Sequence, residues 1–231
     1  MSSRNRLLRK LSEANPDLLQ PHLEPIRLNK NDVCIEPGAP ITHVYFLEGG
    51  LGSTVISDEG HGIGEFGMQG YEGLIGVPVL LGEDQAPVKT FMAVGGPALR
   101  MKVEPLRVAM EQSTSLHCLL LLYAQVFLIQ VSQTAYANAH YKLEKQLARW
   151  VLMAADRLGS RIELTHEALS FMLGVRRPGV TEALHVLEEK RLIKCTRGNI
   201  EVLDRAGLKT VADQSYGLLG AECKRLIGPR R

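Results

Sequence analysis

Residues Thr165 to Lys190 read THEALSFMLGVRRPGVTEALHVLEEK, two short helical patterns around one tight turn. In the first pattern Ala168, Leu169, Met172 and Leu173 form an apolar stripe, and Thr165 stands where an N-cap belongs. Gly174 supplies the positive φ that a chain reversal needs, and Val175 plugs the turn. Pro178 falls in the first turn of the second pattern, where a missing N–H costs nothing. Val180, Ala183, Leu184 and Leu187 follow at helical spacing and mark the buried side. The other face offers Arg176, Arg177, Gly179, Thr181, Glu182 and His185. This is a helix-turn-helix with its hydrogen-bonding groups at the start of the second helix, the part that meets base edges in a major groove.

Downstream of Lys190, the runs Leu192–Cys195 and Asn199–Leu203 are strand-like and joined by Thr196-Arg197-Gly198. That hairpin reads as a wing, with Arg197 at its tip placed to touch phosphate. Asp204 caps a last helix over 205–213, and loosely patterned basic sequence follows. Upstream, Tyr141 to Leu158 is amphipathic, with Leu143, Leu147, Trp150, Val151 and Ala154 inward. Lys142, Lys145, Arg149 and Arg157 point outward in this reading, Gly159 closes the helix, and 162–164 is a short strand. The charge supports a nucleic-acid partner for this half. Residues 140–231 hold 17 Lys+Arg and 11 Asp+Glu, a balance of +6, whereas residues 1–139 hold 10 and 14, a balance of −4. Phosphate binding is driven by basic charge, so the C-terminal part is the expected double-stranded DNA binder.

Residues 105–137 contain no glycine and no proline beyond Pro105. A single helix of about 30 residues is expected, about 45 Å long at ~1.5 Å per residue. Leu116, Leu119, Tyr123, Val126 and Gln130 alternate at spacings of three and four, the coiled-coil pattern. Leu120, Leu122, Phe127, Leu128 and Val131 occupy other faces, so the helix is apolar almost all round. One face can lie on the preceding domain while Leu116, Leu119, Tyr123, Val126 and Phe127 pair with a second copy. A homodimer fits a helix-turn-helix that reads two half-sites. Asn138–His140 reads as a hinge.

From Ile26 to about Val103 short apolar runs (33–35, 43–47, 52–56, 77–81, 90–94 and 98–103) alternate with turn residues. Eleven of the 22 glycines fall between Gly49 and Gly82, as many tight turns between strands require. An antiparallel β-roll or jelly roll of roughly eight strands is expected, after a helical lead-in over 4–23 interrupted by Pro16. Gly62-Ile-Gly64-Glu-Phe-Gly67 matches GxGxxG, but glycine-rich sequence follows where a dinucleotide site needs a helix. The four cysteines, Cys34, Cys118, Cys195 and Cys223, form no CxxC pair, which argues against structural zinc or an iron–sulfur cluster. Reduced thiols in a cytoplasmic protein are the simplest reading. No signal-peptide core follows the charged start, and Leu116–Val131, broken by Gln125 and Gln130, is read as too short to span a membrane.

The order β-roll, long helix, winged helix-turn-helix resembles the catabolite activator and fumarate-nitrate regulator (Crp/Fnr) family of bacterial transcription factors. The resemblance is carried by Leu164–Leu169, Leu173–Leu184 and Leu187–Ile193, and by Val44–Gly50 and Gly73–Gly76 in the roll. It implies an α+β chain: a cyclic-nucleotide-binding-like β-roll over 1–104, a long dimerisation helix and hinge over 105–138, and a winged helix-turn-helix over 139–231. It implies a homodimeric transcriptional regulator, not an enzyme, that binds a two-fold symmetric operator and has RNA polymerase among its partners. By the resemblance Thr165, Arg176, Arg177, Gly179, Thr181, Glu182, His185 and Arg197 meet DNA. Arg177, Gly179 and Glu182 fall on the base-reading positions. Arg177 is the natural guanine reader, whereas Glu182 stands where the best-known members have arginine, so their operator does not carry over.

The effector pocket falls, by the same resemblance, on Glu72, Gly76, Val77, Pro87, Val88 and Lys89. Cyclic-nucleotide-binding members have a Gly-Glu-Leu segment that holds the ribose and an Arg-Ser pair that holds the cyclic phosphate. Here the first is Gly76-Val77-Pro78 and the second falls on Pro87-Val88, with Lys89 beside it. Losing both charges removes the strongest charge-assisted contacts, so cyclic AMP binding is not expected; the effector is an unidentified small molecule or absent. No cofactor is expected: the N-terminal cysteine cluster of the iron–sulfur branch is missing, and His43, His61 and His117 read as turn or surface residues, not haem ligands. A cupin-type metalloenzyme would need paired histidines, whereas His61 has only Glu65 near it. A helix-turn-helix serving protein contacts remains the alternative class, against which the +6 balance and Arg176-Arg177 speak.

Overall fold

The computed structural model describes residues 3–58 and 62–227. It divides into two compact units, one of residues 1–54, 68–129 and 222–231, the other of 55–67 and 130–221. The division differs from one drawn by sequence order. Segment 55–67 goes with the C-terminal residues, and the last ten residues go with the first unit.

Eight strands follow the lead-in residues: β1 (Glu24–Leu28), β2 (Val33–Ile35), β3 (His43–Leu47), β4 (Leu51–Asp58), β5 (Gly62–Gln69), β6 (Leu74–Ile75), β7 (Lys89–Val94) and β8 (Gly96–Lys102), with residues 55–58 of β4 and 62–67 of β5 counted in the second unit. They form two four-stranded sheets, ordered β1-β8-β3-β6 and β2-β7-β4-β5. The GxGxxG stretch therefore lies in strand β5. Alternation sets the core: Val44 and Phe46 of β3 are fully buried and pair with Met101 and Leu99 of β8. On the other face Tyr45 pairs with Arg100, whose Nε donates to Glu24 Oε2 at 2.8 Å. The run 77–81 is not a strand. Gly76 takes φ +124° and Pro78 sits in the first turn of α3 (Val77–Leu80), since a proline that cannot join a ladder is at home in a helix start. The lead-in helices α1 (Arg6–Ala14) and α2 (Pro16–Leu19) bury Leu7, Leu8, Leu11 and Leu19.

The expected single long helix is two, α4 (Val103–Gln112) and α5 (Thr114–His140). Ser113 breaks them with extended φ/ψ of −134° and 103°, and its Oγ accepts from Leu116 N at 3.3 Å. A short hydroxyl side chain competes well with helical backbone there. Helix α5 runs through Asn138–His140, so the break expected at those residues falls later, at Tyr141–Lys142. By length and composition α5 is long and apolar enough to cross a bilayer, which corrects the shorter reading. Within the first unit it packs as a core helix: Leu116, Leu120, Tyr123 and Val126 are buried, and Tyr123 Oη donates to Leu74 O at 2.8 Å.

Burial is uneven along α5. Leu116, Tyr123 and Val126 are covered within one chain, and Leu119 and Phe127 are half-buried. Between residues 116 and 134 the exposed positions are Cys118, Leu121, Gln125, Leu128 and Ser132. They repeat the three-four spacing two residues on from Leu116, Leu119, Tyr123, Val126 and Gln130.

The second unit has α6 (Leu143–Leu158) at its centre, with β9 (Arg161–Ile162), α7 (His166–Leu173), α8 (Arg177–Glu189), β10 (Ile193–Thr196), β11 (Asn199–Val202) and α9 (Arg205–Ala212) around it. The sheet order β10-β11-β9 adds the short strand to the wing. Leu147, Val151 and Ala154 of α6 are fully buried. Arg149 and Arg157, expected to face outward, are buried too. Arg149 Nε donates to Ser215 O at 3.0 Å and its Nη2 to Thr134 Oγ1 at 3.2 Å, while Arg157 Nη1 donates to Met153 O at 2.8 Å. Burial pulls the Arg149 guanidinium down to about 10, with the Glu65 carboxylate opposing. Glu65, itself buried, accepts from Trp150 Nε1 at 2.7 Å. In the C-terminal region α10 (Leu218–Ile227) follows α9, and Lys10 Nζ donates to Ile227 O.

Candidate nucleic-acid interface

Local signals build the helix-turn-helix. Thr165 Oγ1 accepts from Ala168 N at 3.1 Å and starts α7. Gly174 ends it in the left-handed region, φ 64° and ψ 31°, and Val175 N returns to Ser170 O at 3.1 Å. Arg176 is the extended N-cap of α8 at φ −70° and ψ 139°, and Pro178 lies in the first turn. Val180, Ala183, Leu184 and Leu187 are buried, as their spacing dictates.

The outer face of α8 is an open groove lined by Arg177, Thr181, Glu182 and His185, with Pro178, Val186 and Glu189 beside them. Four of the expected DNA-facing residues thus come together on one surface. Arg176 is exposed at the cap, and Arg197 is exposed on the two-residue turn of the wing, where Thr196 pairs with Asn199 and Gly198 takes φ +74°. Gly179 is placed differently. A Cβ there would stand 3.3 Å from Leu143 Cδ2, so Gly179 lets α8 close against the start of α6 and offers nothing to the groove. Thr165 is exposed with its oxygen engaged in the cap.

Two residues that sequence pattern does not single out complete the surface. His166 Nδ1 lies 3.1 Å from Thr181 Oγ1, joining the first turn of α7 to the groove face of α8. Glu188 Oε1 accepts from Cys195 N at 2.6 Å and fastens the wing to α8. Burial and the Glu188 carboxylate push the Cys195 thiol up to about 12. His166 and Thr181 are 15 residues apart on different helices, and no periodicity links such a pair.

In the roll, Glu72 is half-buried and its Oε1 accepts from Gly70 N at 3.2 Å. At Gly76 a Cβ would meet Val44 Cγ1 at 2.7 Å, so the bend there is closed to any side chain. Val77 is buried at the start of α3, and Pro87 is exposed. Val88 and Lys89 are half-buried, with Lys89 Nζ 3.9 Å from Glu36 Oε2. His43 stands half-buried on β3, with Nδ1 2.9 Å from Thr42 Oγ1; His61 lies outside the described residues. Among the described residues no group of three or more His, Cys, Asp or Glu is arranged to hold a metal ion.

Residues 145–211 match the Crp-like helix-turn-helix domain. No curated protein matches the sequence. Among solved structures the chain is similar to FixK2 from Bradyrhizobium japonicum, with TM-score 0.70 and 13% identity over 82% of this chain and 96% of that one. It is similar to a CRP-family transcriptional regulator from Thermus thermophilus, with TM-score 0.66 and 18% identity over 81% and 96%. It is also similar to CLP of Xanthomonas campestris, described as a c-di-GMP-responsive global regulator, with TM-score 0.64 and 15% identity over 82% and 98%.

Proposed function

We propose that this chain, which carries a Crp-like helix-turn-helix domain and a fold similar to that of Crp/Fnr-type regulators, is a homodimeric, sequence-specific DNA-binding regulator. The open groove face of α8 carries the reading: Arg177, Thr181, Glu182 and His185 stand together on the helix that such domains present to DNA. Its chemistry suits a major groove, with a guanidinium for guanine O6 and N7 and a carboxylate for a cytosine amino group. Arg176 and the wing's Arg197 flank it as phosphate contacts. The Cys118, Leu121, Gln125, Leu128 and Ser132 stripe on α5 supplies the seam for the second copy, which gives the two-fold symmetry of the operator.

The roll of this regulator does not take cyclic AMP. Gly76 and Val77 offer no carboxylate to a ribose, and the nearby cation, Lys89, faces Glu36. Titration calorimetry with cyclic AMP is expected to show no binding at micromolar concentrations.

Selection of duplexes from a genomic library, followed by fluorescence anisotropy, tests the main reading. Affinity should fall steeply between about 50 and 200 mM salt, as phosphate-driven binding does. Arg177→Ala should cost about 1–3 kcal/mol and relax specificity at one position of the site. Retention of full affinity by Arg177→Ala would sink the assignment of α8 as the reader.

A further inference from the structure

The groove face of α8 has a second row behind it. His166 is the first residue of α7, and its Nδ1 sits 3.1 Å from the hydroxyl oxygen of Thr181, which lines the groove. Both residues are half-buried. A threonine hydroxyl carries one proton and two lone pairs, and the proton rotates to suit its strongest neighbour. When Nδ1 is unprotonated it accepts that proton, and Thr181 Oγ1 turns lone pairs toward the groove. When the ring is doubly protonated, Nδ1–H donates to Oγ1, and the hydroxyl proton is released toward the groove.

We infer that His166 is a positioning residue that sets whether Thr181 offers DNA an acceptor or a donor, and that protonation of His166 exchanges the two. The inference rests on the DNA-binding reading above and deepens it. An acceptor at Thr181 suits the amino groups of adenine N6 and cytosine N4, whereas a donor suits guanine O6 and N7 or thymine O4. One ring, never itself touching DNA, thus changes which base pair is preferred.

The surroundings of His166 favour the neutral ring in the free protein. Burial lowers its pKa first, the Arg177 and His185 side chains of α8 lower it further, and Glu188 of α8 opposes them. At neutral pH and above, with the ring neutral and its proton on Nε2, Thr181 is in the acceptor state. Acidification, or DNA phosphate brought close to the ring, favours the donor state.

The test is selection of randomised duplexes by the full-length protein at pH 5.5 and pH 8, for the parent, His166→Ala and Thr181→Val. The parent should favour an amino-bearing base at one position at pH 8 and an acceptor base there at pH 5.5. A relative preference changed by about fivefold corresponds to one ordinary hydrogen bond. His166→Ala should still enrich duplexes, and in neither variant should the preference at that position depend on pH. A parent preference that does not move with pH overturns the inference. So does a shift that persists in Thr181→Val. Enrichment of no duplex by the parent at either pH overturns instead the DNA-binding reading on which the inference stands.

Discussion

Asn5 shows how much one side chain can hold. It is fully buried, and its Oδ1 accepts from Leu8 N at 2.9 Å to start α1. Its Nδ2 donates to Leu47 O at 2.9 Å and to Gly73 O at 2.6 Å, so one amide ties a helix, a strand and a turn. Asn5→Asp keeps the shape and the cap acceptor but turns a carboxylate oxygen on two carbonyls. A loss of about 2–4 kcal/mol is expected, the range for buried polar groups left unpaired beside a charge. Chemical denaturation measures it against Asn138→Asp, an exposed position expected to change stability by less than about 0.5 kcal/mol. Equal midpoints for the two variants would refute this account of Asn5. Nothing near Asn5 in sequence announces its role, because Leu47 and Gly73 lie 42 and 68 residues away. Arg149 escapes pattern reading for the same reason: Lys145 and Arg149 look alike in a helical pattern, and only Ser215 and Thr134 make one of them buried.

Elements specified by their own residues are legible. Thr165, Gly174 and Pro178 act within a turn of where they stand, so the bounds of α7 and α8 and the groove residues Arg177, Thr181, Glu182 and His185 follow from spacing. Helix α5 is legible as a helix but not as a surface. Its residues are apolar on every side, and the hydrophobic pattern alone does not say which stripe the chain's own roll will cover. The structure covers Leu116, Tyr123 and Val126 and leaves Leu121 at 41% and Leu128 at 49% exposure, seven residues apart. A charge on that seam should therefore separate the proposed dimer without unfolding either protomer. Leu121→Glu with Leu128→Glu is expected to sediment at the monomer mass of 25.5 kDa, with circular dichroism unchanged and operator affinity lower by tenfold or more. A doubly charged variant that still sediments as a dimer would place the interface elsewhere.

At the scale of the whole molecule, half-buried titratable groups on both sides of neutrality confine stability to a window of pH. His43 in the first unit and His166 in the second both have lowered pKa values, with burial the largest cause. The unfolded chain then binds more protons than the folded one just below the ordinary histidine value near 6.5. Stability must fall as pH drops through that range. The thiols act on the alkaline side. Burial, with Asp32 beside it, pushes Cys34 from 9.0 to about 12, and burial with Glu188 does the same to Cys195. Above the ordinary thiol value the unfolded chain loses protons that the folded chain keeps, so stability falls again as pH rises. Near pH 10 this amounts to on the order of 1 kcal/mol for Cys34 and less for Cys195. Melting temperature should drop by about 2–4 °C for each kcal/mol lost. The two thiols lie in different units, so Cys34→Ser and Cys195→Ser should each flatten the alkaline limb of one unit and leave the other's unchanged. Melting curves from pH 5 to pH 10.5, followed by tryptophan fluorescence for the second unit's Trp150 and by total circular dichroism, separate the two. An alkaline limb that survives in the double variant would shift the effect to Tyr216, whose phenol burial and Asp156 raise to about 12.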